Sequence, residues 1–345
     1  MNSMRNGLAG CVPSWQSLIR KGSGMKIVYN GEKDRAFKEL FSEKIPALCE
    51  ADDRVIYLDA DLMNCIGTLG WALEHPDRAI DCGIAEANMV GVAAGLSAVG
   101  FKPIVHSFGP FASRRCFDQA YLSGGYAHNA MTIIGTDPGV CAQLNGGTHM
   151  PFEDMALYRS LPGAYVIDIA DTVQLSDLLD QCVDMEGIKY IRVPRKQNKK
   201  IYGDGSHFEI GKGVIVREDG KDCVVFACGI MVAKAMEAAE VLAQEGIRVT
   251  VVDMFSVKPL DEKLVTELAE ECKAVVTAEN HNRYGGLTSA VSECLSMHCP
   301  TPLNYVAVED EFGEVGPQDY LEERFGLTTD HVVRAVKEAI ACKKG

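Results

Sequence analysis

From about residue 34 to 308 the chain alternates short apolar runs with longer amphipathic ones. Helical spacing runs from Asp34 to about Ala51, and Val55-Ile-Tyr-Leu58 reads as a short buried strand ending in Asp59-Ala-Asp61. The same alternation predicts a helix over 85–98, a strand over 102–106, a helix over 111–129 and a strand over 131–135. A glycine-rich loop at 139–149 precedes a helix at 151–160, a strand at 165–168, a helix at 172–183 and a strand at 189–193. Apolar strands alternating with helices imply a mostly parallel sheet covered on both faces.

Pro194-Arg-Lys-Gln-Asn-Lys-Lys200 is polar and basic, and glycines punctuate the chain from 203 to 213, which predicts a linker over 196–212. The alternation then resumes, with strands at 223–228, 249–253, 274–278 and 304–308 and helices at 231–245, 262–272 and 286–298. The expected fold class is therefore α/β: two consecutive three-layer α/β domains with mostly parallel sheets, over 25–195 and 213–345. Residues 1–24 carry no secretory pattern and read as a disordered or non-native extension ahead of Met25.

Composition narrows the function. A 345-residue chain that is 47% hydrophobic can bury the cores of about two domains. A formal charge of −14 argues against a nucleic-acid or anionic-membrane surface, while leaving room for a local basic pocket. Thirteen cysteines without a CxxC pair fit reduced thiols in a cytoplasmic protein, and no zinc-like spacing points to a metal site in this chain. No run approaches the roughly 18 apolar residues of a membrane span.

The chemistry concentrates around Glu86. It opens the segment Glu86-Ala-Asn-Met-Val-Gly-Val-Ala-Ala-Gly-Leu96, which is apolar all round and so expected to be buried. A carboxyl in low dielectric has its charged form disfavoured, which makes Glu86 a candidate general acid. The other reading is a partly exposed carboxylate complementing the positive helix end. Phe108 and Phe111 taken alone are core residues. His149 closes a loop in which Gly146 and Gly147 let backbone approach a ligand closely.

Three segments change that balance: Gly83-Ile-Ala-Glu86-Ala-Asn-Met89, Phe108-Gly-Pro-Phe111 and Asn145-Gly-Gly-Thr-His149. Their order and spacing resemble those of transketolases and deoxyxylulose-phosphate synthases. Over about 30–340 the chain resembles the pyrimidine-binding domain followed by the C-terminal domain of a thiamine-diphosphate enzyme. The diphosphate-binding domain of a complete transketolase, with its Gly-Asp-Gly and magnesium-binding Asn, has no counterpart; Gly203-Asp-Gly205 reads as a turn. The resemblance thus implies the C-terminal subunit of a split transketolase. A separate N-terminal subunit would supply the diphosphate and Mg2+ contacts in an α2β2 assembly acting on sugar phosphates.

It also implies roles. Glu86 would hydrogen-bond the aminopyrimidine ring of thiamine diphosphate, Phe111 would lie against that ring, and Phe108 would stand nearby. His149 would be the substrate-side histidine, with Asn145 on the same loop. Arg195 would hold the terminal phosphate of the sugar, and Arg35 is matched to a second phosphate-binding arginine. Asp154 is read as structural, and His281 as a surface-loop residue. Three positions depart from the family pattern: Asn145 stands where an Asp is usual, Asp137 where a phosphate-binding His is usual, and Cys65 at the approximate place of a phosphate-contacting Ser. These departures point to an unusual sugar. Two alternatives remain: a deoxyxylulose-phosphate-synthase-like or 2-oxo-acid-dehydrogenase beta-like subunit, and a non-catalytic regulatory or scaffold subunit.

Overall fold

The computed structural model describes residues 25–343, so the expectation for 1–24 lies outside the described residues. Strands β1 (Val55–Asp59), β2 (Ala79–Asp81), β3 (Lys102–Phe108), β4 (Met131–Thr136), β5 (Tyr165–Asp168) and β6 (Ile188–Val193) lie in one sheet. β1, β4 and β6 are buried from end to end, as central strands covered by helices on both faces must be. A second sheet holds β7 (Val214–Glu218), β8 (Cys223–Ala227), β9 (Val249–Asp253), β11 (Val275–Asn282) and β12 (Leu303–Val308).

The strand that joins the two halves is β10 (Ser256–Lys258). It follows β9 of the second sheet but pairs antiparallel with β5, giving the first sheet the order β10-β5-β6-β4-β3-β1-β2. The second sheet runs β12-β11-β8-β9-β7, with only β7 antiparallel to its neighbour. β7 and β10 were not expected from the sequence, since three to five residues at a sheet edge carry too little alternation to stand out. Each of the two apolar clusters contains residues from both halves, so the core layers run through both sheets.

The 196–212 segment is packed in place. Ile201, Tyr202 and Phe208 are fully buried, and Asp171 Oδ2 accepts the backbone N–H groups of Ile201 and Tyr202 at 2.9 and 2.7 Å. Isolated bridges pair Ile27 with Tyr202 and Lys33 with Lys199, tying the segment to the start of the described chain. Its polar composition concealed these three apolar anchors.

The long helix expected over 111–129 is broken. One turn forms at Gly109–Ala112, Phe117–Gln119 forms another, and Ala120–Tyr126 is a π-helix. Close packing explains the widened turn: a Cβ on Gly124 would lie 2.7 Å from Ile188 Cδ1, and one on Gly125 2.7 Å from Leu161 Cδ1. Among the described residues no helix is long and apolar enough to cross a membrane, and every described cysteine is unpaired.

Candidate active site

The site residues gather just beyond the C-terminal ends of the first sheet, where open α/β sheets present ligand crevices. Glu86 is the first residue of the Glu86–Ala98 helix and is buried, so the carboxylate both faces the positive helix end and lies out of water. Its oxygens accept from Arg115 Nη1 at 2.8 and 2.9 Å and from Ser107 Oγ at 3.1 Å. In this arrangement Glu86 is an acceptor. To donate a hydrogen bond, as the sequence reading requires, it must shed Arg115, whose side chain is 41% exposed.

Arg115 continues the line. Its guanidinium carbon sits 3.9 Å from the centroid of the Phe111 ring, a cation–π contact. The Phe111 ring centroid is 5.0 Å from the His149 ring in an edge-on arrangement, and Phe108 is 6.0 Å from the same imidazole. Thr148 Oγ1 lies 2.9 Å from His149 Nδ1, leaving Nε2 as the other polar edge of the ring. Beyond Phe108, whose ring centroid is 5.3 Å from the Arg195 guanidinium carbon, Arg195 Nε donates to Asp137 Oδ2 at 3.0 Å. One chain of contacts therefore runs from Glu86 to Asp137.

Arg35 does not join it. The backbone near the start of the first helix touches this region, since Lys38 N–H donates to Arg195 O at 3.3 Å. The Arg35 side chain, however, turns to Glu43 at 2.7 Å on its own helix. Asn145 is exposed on the loop four residues before His149.

Behind the site, His106 Nδ1 lies 2.6 Å from Asp59 Oδ2 and His106 Nε2 lies 3.0 Å from Thr136 Oγ1. The Tyr57 hydroxyl donates to the same Asp59 oxygen at 2.5 Å, and burial beside that carboxylate holds the phenol well above its ordinary range. These buried groups tie together the ends of β1, β3 and β4. Asp137 comes directly after β4; burial raises its carboxyl above the usual range, and the Arg195 guanidinium opposes that shift.

The second half of the chain holds the loop that carries His149. Asn280 Oδ1 accepts Val140 N–H at 3.0 Å while its Nδ2 donates to Pro138 O at 2.9 Å. Gly139 has φ +50°, and a Cβ there would lie 2.2 Å from Asn280 Oδ1. At the loop's far end a Cβ on Gly147 would lie 2.1 Å from Gly313 O. His281, expected on a surface loop, is instead fully buried, because β11 continues to Asn282 and carries the residue inside. Its Nδ1 lies 2.6 Å from Asn282 O, and its Nε2 stands 3.8 Å from Asp154 Oδ1. Asp154 is structural: it accepts from Tyr190 Oη and Arg192 Nε.

Sequence reasoning missed Arg115 and Ser107. The only available signal for the arginine was the basic pair Arg114-Arg115 placed soon after Phe111. Spacing alone does not say which of the two turns inward.

Comparisons with known proteins identify the family. Residues 33–200 match the family model "Transketolase, pyrimidine binding domain", and residues 211–332 match "Transketolase, C-terminal domain". The chain is 46% identical, over 301 residues, to the 6-deoxy-6-sulfo-D-fructose transketolase subunit SqwH of Clostridium sp. (strain MSTE9), covering 87% of this chain and 93% of that one. Human transketolase is 32% identical over 308 residues, covering 88% of this chain but 49% of the human one. A solved split-gene transketolase, described as an inactive β4 tetramer, superposes with a TM-score of 0.83 at 40% identity, covering 90% of this chain and all of that one.

Proposed function

From the premise that the chain belongs to the transketolase family, as its pyrimidine-binding and C-terminal portion, we propose that it forms half of a ketol-transferring active site. The reaction moves a two-carbon ketol unit from a ketose to an aldose. The observation that carries this reading is the contact chain from Glu86 through Arg115, Phe111, His149 and Phe108 to Arg195. A scaffold subunit needs no buried carboxylate, aromatic face and imidazole in register.

Transketolases work with thiamine diphosphate, and the residues here fit its pyrimidine end: a buried carboxylate beside a half-buried aromatic ring with a partly exposed guanidinium over its face. When bound, that cofactor supplies the carbanion chemistry. Glu86 then holds the aminopyrimidine nitrogen, Phe111 packs on the ring and excludes water, and His149 orients the sugar hydroxyls and moves a proton at Nε2. Arg195 grips the far end of the sugar through its planar fork. The diphosphate and Mg2+ belong to the partner's half.

An N-terminal subunit completes the site in an α2β2 complex. Support comes from the Glu86–Ala98 helix, which is apolar all round yet leaves Val92 on its outer face and the flanking Ile84 and Val99 exposed. That face needs a cover, which a partner subunit would supply. The related β4 tetramer, described as inactive, agrees with a need for the missing half.

The test is ketol transfer by this chain alone and mixed with its N-terminal partner, with thiamine diphosphate, Mg2+ and a panel of ketoses. The panel includes ketose phosphates and 6-deoxy-6-sulfo-D-fructose, the sugar for which the Clostridium relative is named. Activity confined to the mixture, and lost in Glu86→Ala, is the expected result. A mixture that neither associates nor transfers would leave a non-catalytic role.

A further inference from the structure

The geometry points to Asp137 as the residue that sets the charge of the substrate tail, selecting a monoanion such as a sulfonate over a phosphate dianion. This rests on the ketol-transfer reading and on Arg195 as the tail's anchor. Arg195 meets Asp137 along its Nε edge: Nε lies 3.0 Å and Nη2 3.0 Å from Oδ2. A guanidinium has donors on two edges, so the edge bearing Nη1 stays available to a ligand. The Arg195 side chain is 23% exposed and that of Asp137 2%, so an arriving anion meets the arginine first with the carboxylate directly behind it.

Asp137 cannot turn away. Its backbone is in the left-handed region at φ +58°, its N–H donates to Val193 O at 3.1 Å, and Pro138 stiffens the next position. The charges that face it are few. Lys196 comes after Arg195, with Nζ 2.5 Å from Gln143 Oε1; His106 lies behind, engaged by Asp59. Arg35 is occupied by Glu43. Arg195 and Lys196 set against Asp137 leave one net positive charge on the side an arriving anion meets. A monoanion balances that charge. A dianion brings a second negative charge up to a buried carboxylate, the kind of built-in repulsion by which sites reject near-isosteric ligands.

The experiment compares kcat/KM of the assembled two-subunit enzyme for 6-deoxy-6-sulfo-D-fructose, its carbon-linked phosphonate analogue and fructose 6-phosphate. The phosphonate matches the sulfonate in shape and differs in charge. For the wild-type enzyme at pH 8 the sulfonate is expected to be favoured about tenfold or more, since like-charge juxtaposition is strongly discriminating. Asp137→Asn, which keeps an acceptor for Arg195, should cut that preference about tenfold by improving the dianions more than the sulfonate. Independently of any variant, the wild-type preference over fructose 6-phosphate should shrink between pH 8 and pH 5.5, because a phosphate monoester dianion takes up one proton and becomes a monoanion near pH ~6. Equal efficiency for all three substrates at pH 8, or a preference unmoved by both Asp137→Asn and pH, overturns the assignment of Asp137. Failure of the assembly to transfer a ketol from any of them overturns the ketol-transfer reading itself.

Discussion

At the residue scale, the proposed function rests most heavily on Glu86, which is almost fully buried. Glu86→Gln keeps its size but cannot relay a proton, so ketol transfer by the assembled enzyme should fall by about 10²–10⁴-fold. Circular dichroism and association with the partner should not change. A single carboxyl opening an apolar helix is conspicuous in the sequence; the structure puts Glu86 at the helix N-terminus, as one reading had it, and buries it rather than leaving it partly exposed. Arg115 was invisible, since its approach to Glu86 depends on the break at Ser113 that no propensity marks. Arg195 and Asp137 were each singled out, but only the fold shows them bound to one another.

At the scale of elements, the 139–149 loop is positioned more by its neighbours than by its own sequence. Gly147→Ala would drive a Cβ against the Gly313 carbonyl, so the loop or the 311–317 segment must shift. Shifts of this size in a site that depends on orientation cost on the order of 10²-fold in rate, and kcat should fall while overall stability changes little. Steady-state kinetics beside a thermal melt will separate the two. A second element-scale device is Arg192, fully buried, which donates to Asp154 at 2.7 Å, Asp168 at 2.9 Å and the Asn280 carbonyl at 3.0 Å. Arg192→Met leaves two buried carboxylates without their cation. Removing one partner of such a set costs about 3–5 kcal/mol, measurable as a lower urea midpoint.

For the whole molecule, the two halves meet through buried polar contacts as well as shared core. Asp253, at the end of β9, accepts from Gln174 of the first half at 2.8 Å and from Tyr202 at 2.6 Å. Burial lifts its carboxyl from 3.8 to about 7, and the hydrogen bonds from Tyr202 and Gln174 only partly offset this. The unfolded chain ionises there at the ordinary value, so folding takes up a proton between those limits. Stability from this group is full below pH ~4 and declines until the pH passes the folded value. Asp171, lifted to about 6 by burial, acts in the same direction. Asp253→Asn should therefore flatten the fall in Tm between pH 5 and 8, with a difference on the order of 2–4 kcal/mol at the upper end. Parallel Tm curves for both proteins would contradict this.

The sequence by itself determined the α/β class and the order of the long buried strands, and it singled out most of the residues proposed for the site. Burial on both faces of a parallel sheet demands continuous apolar runs, and chemistry at strand ends leaves polar residues at recognisable interruptions. Only the tertiary structure decided that β10 crosses into the first sheet, that His281 is interior and that Asn280 and Gly313 hold the loop of His149. It also decided that Arg115 pairs with Glu86 and Asp137 with Arg195, the two residues proposed to hold cofactor and substrate. Those facts are contacts between positions far apart in the chain, and periodicity reports only which face a residue turns inward, never which residue it meets there.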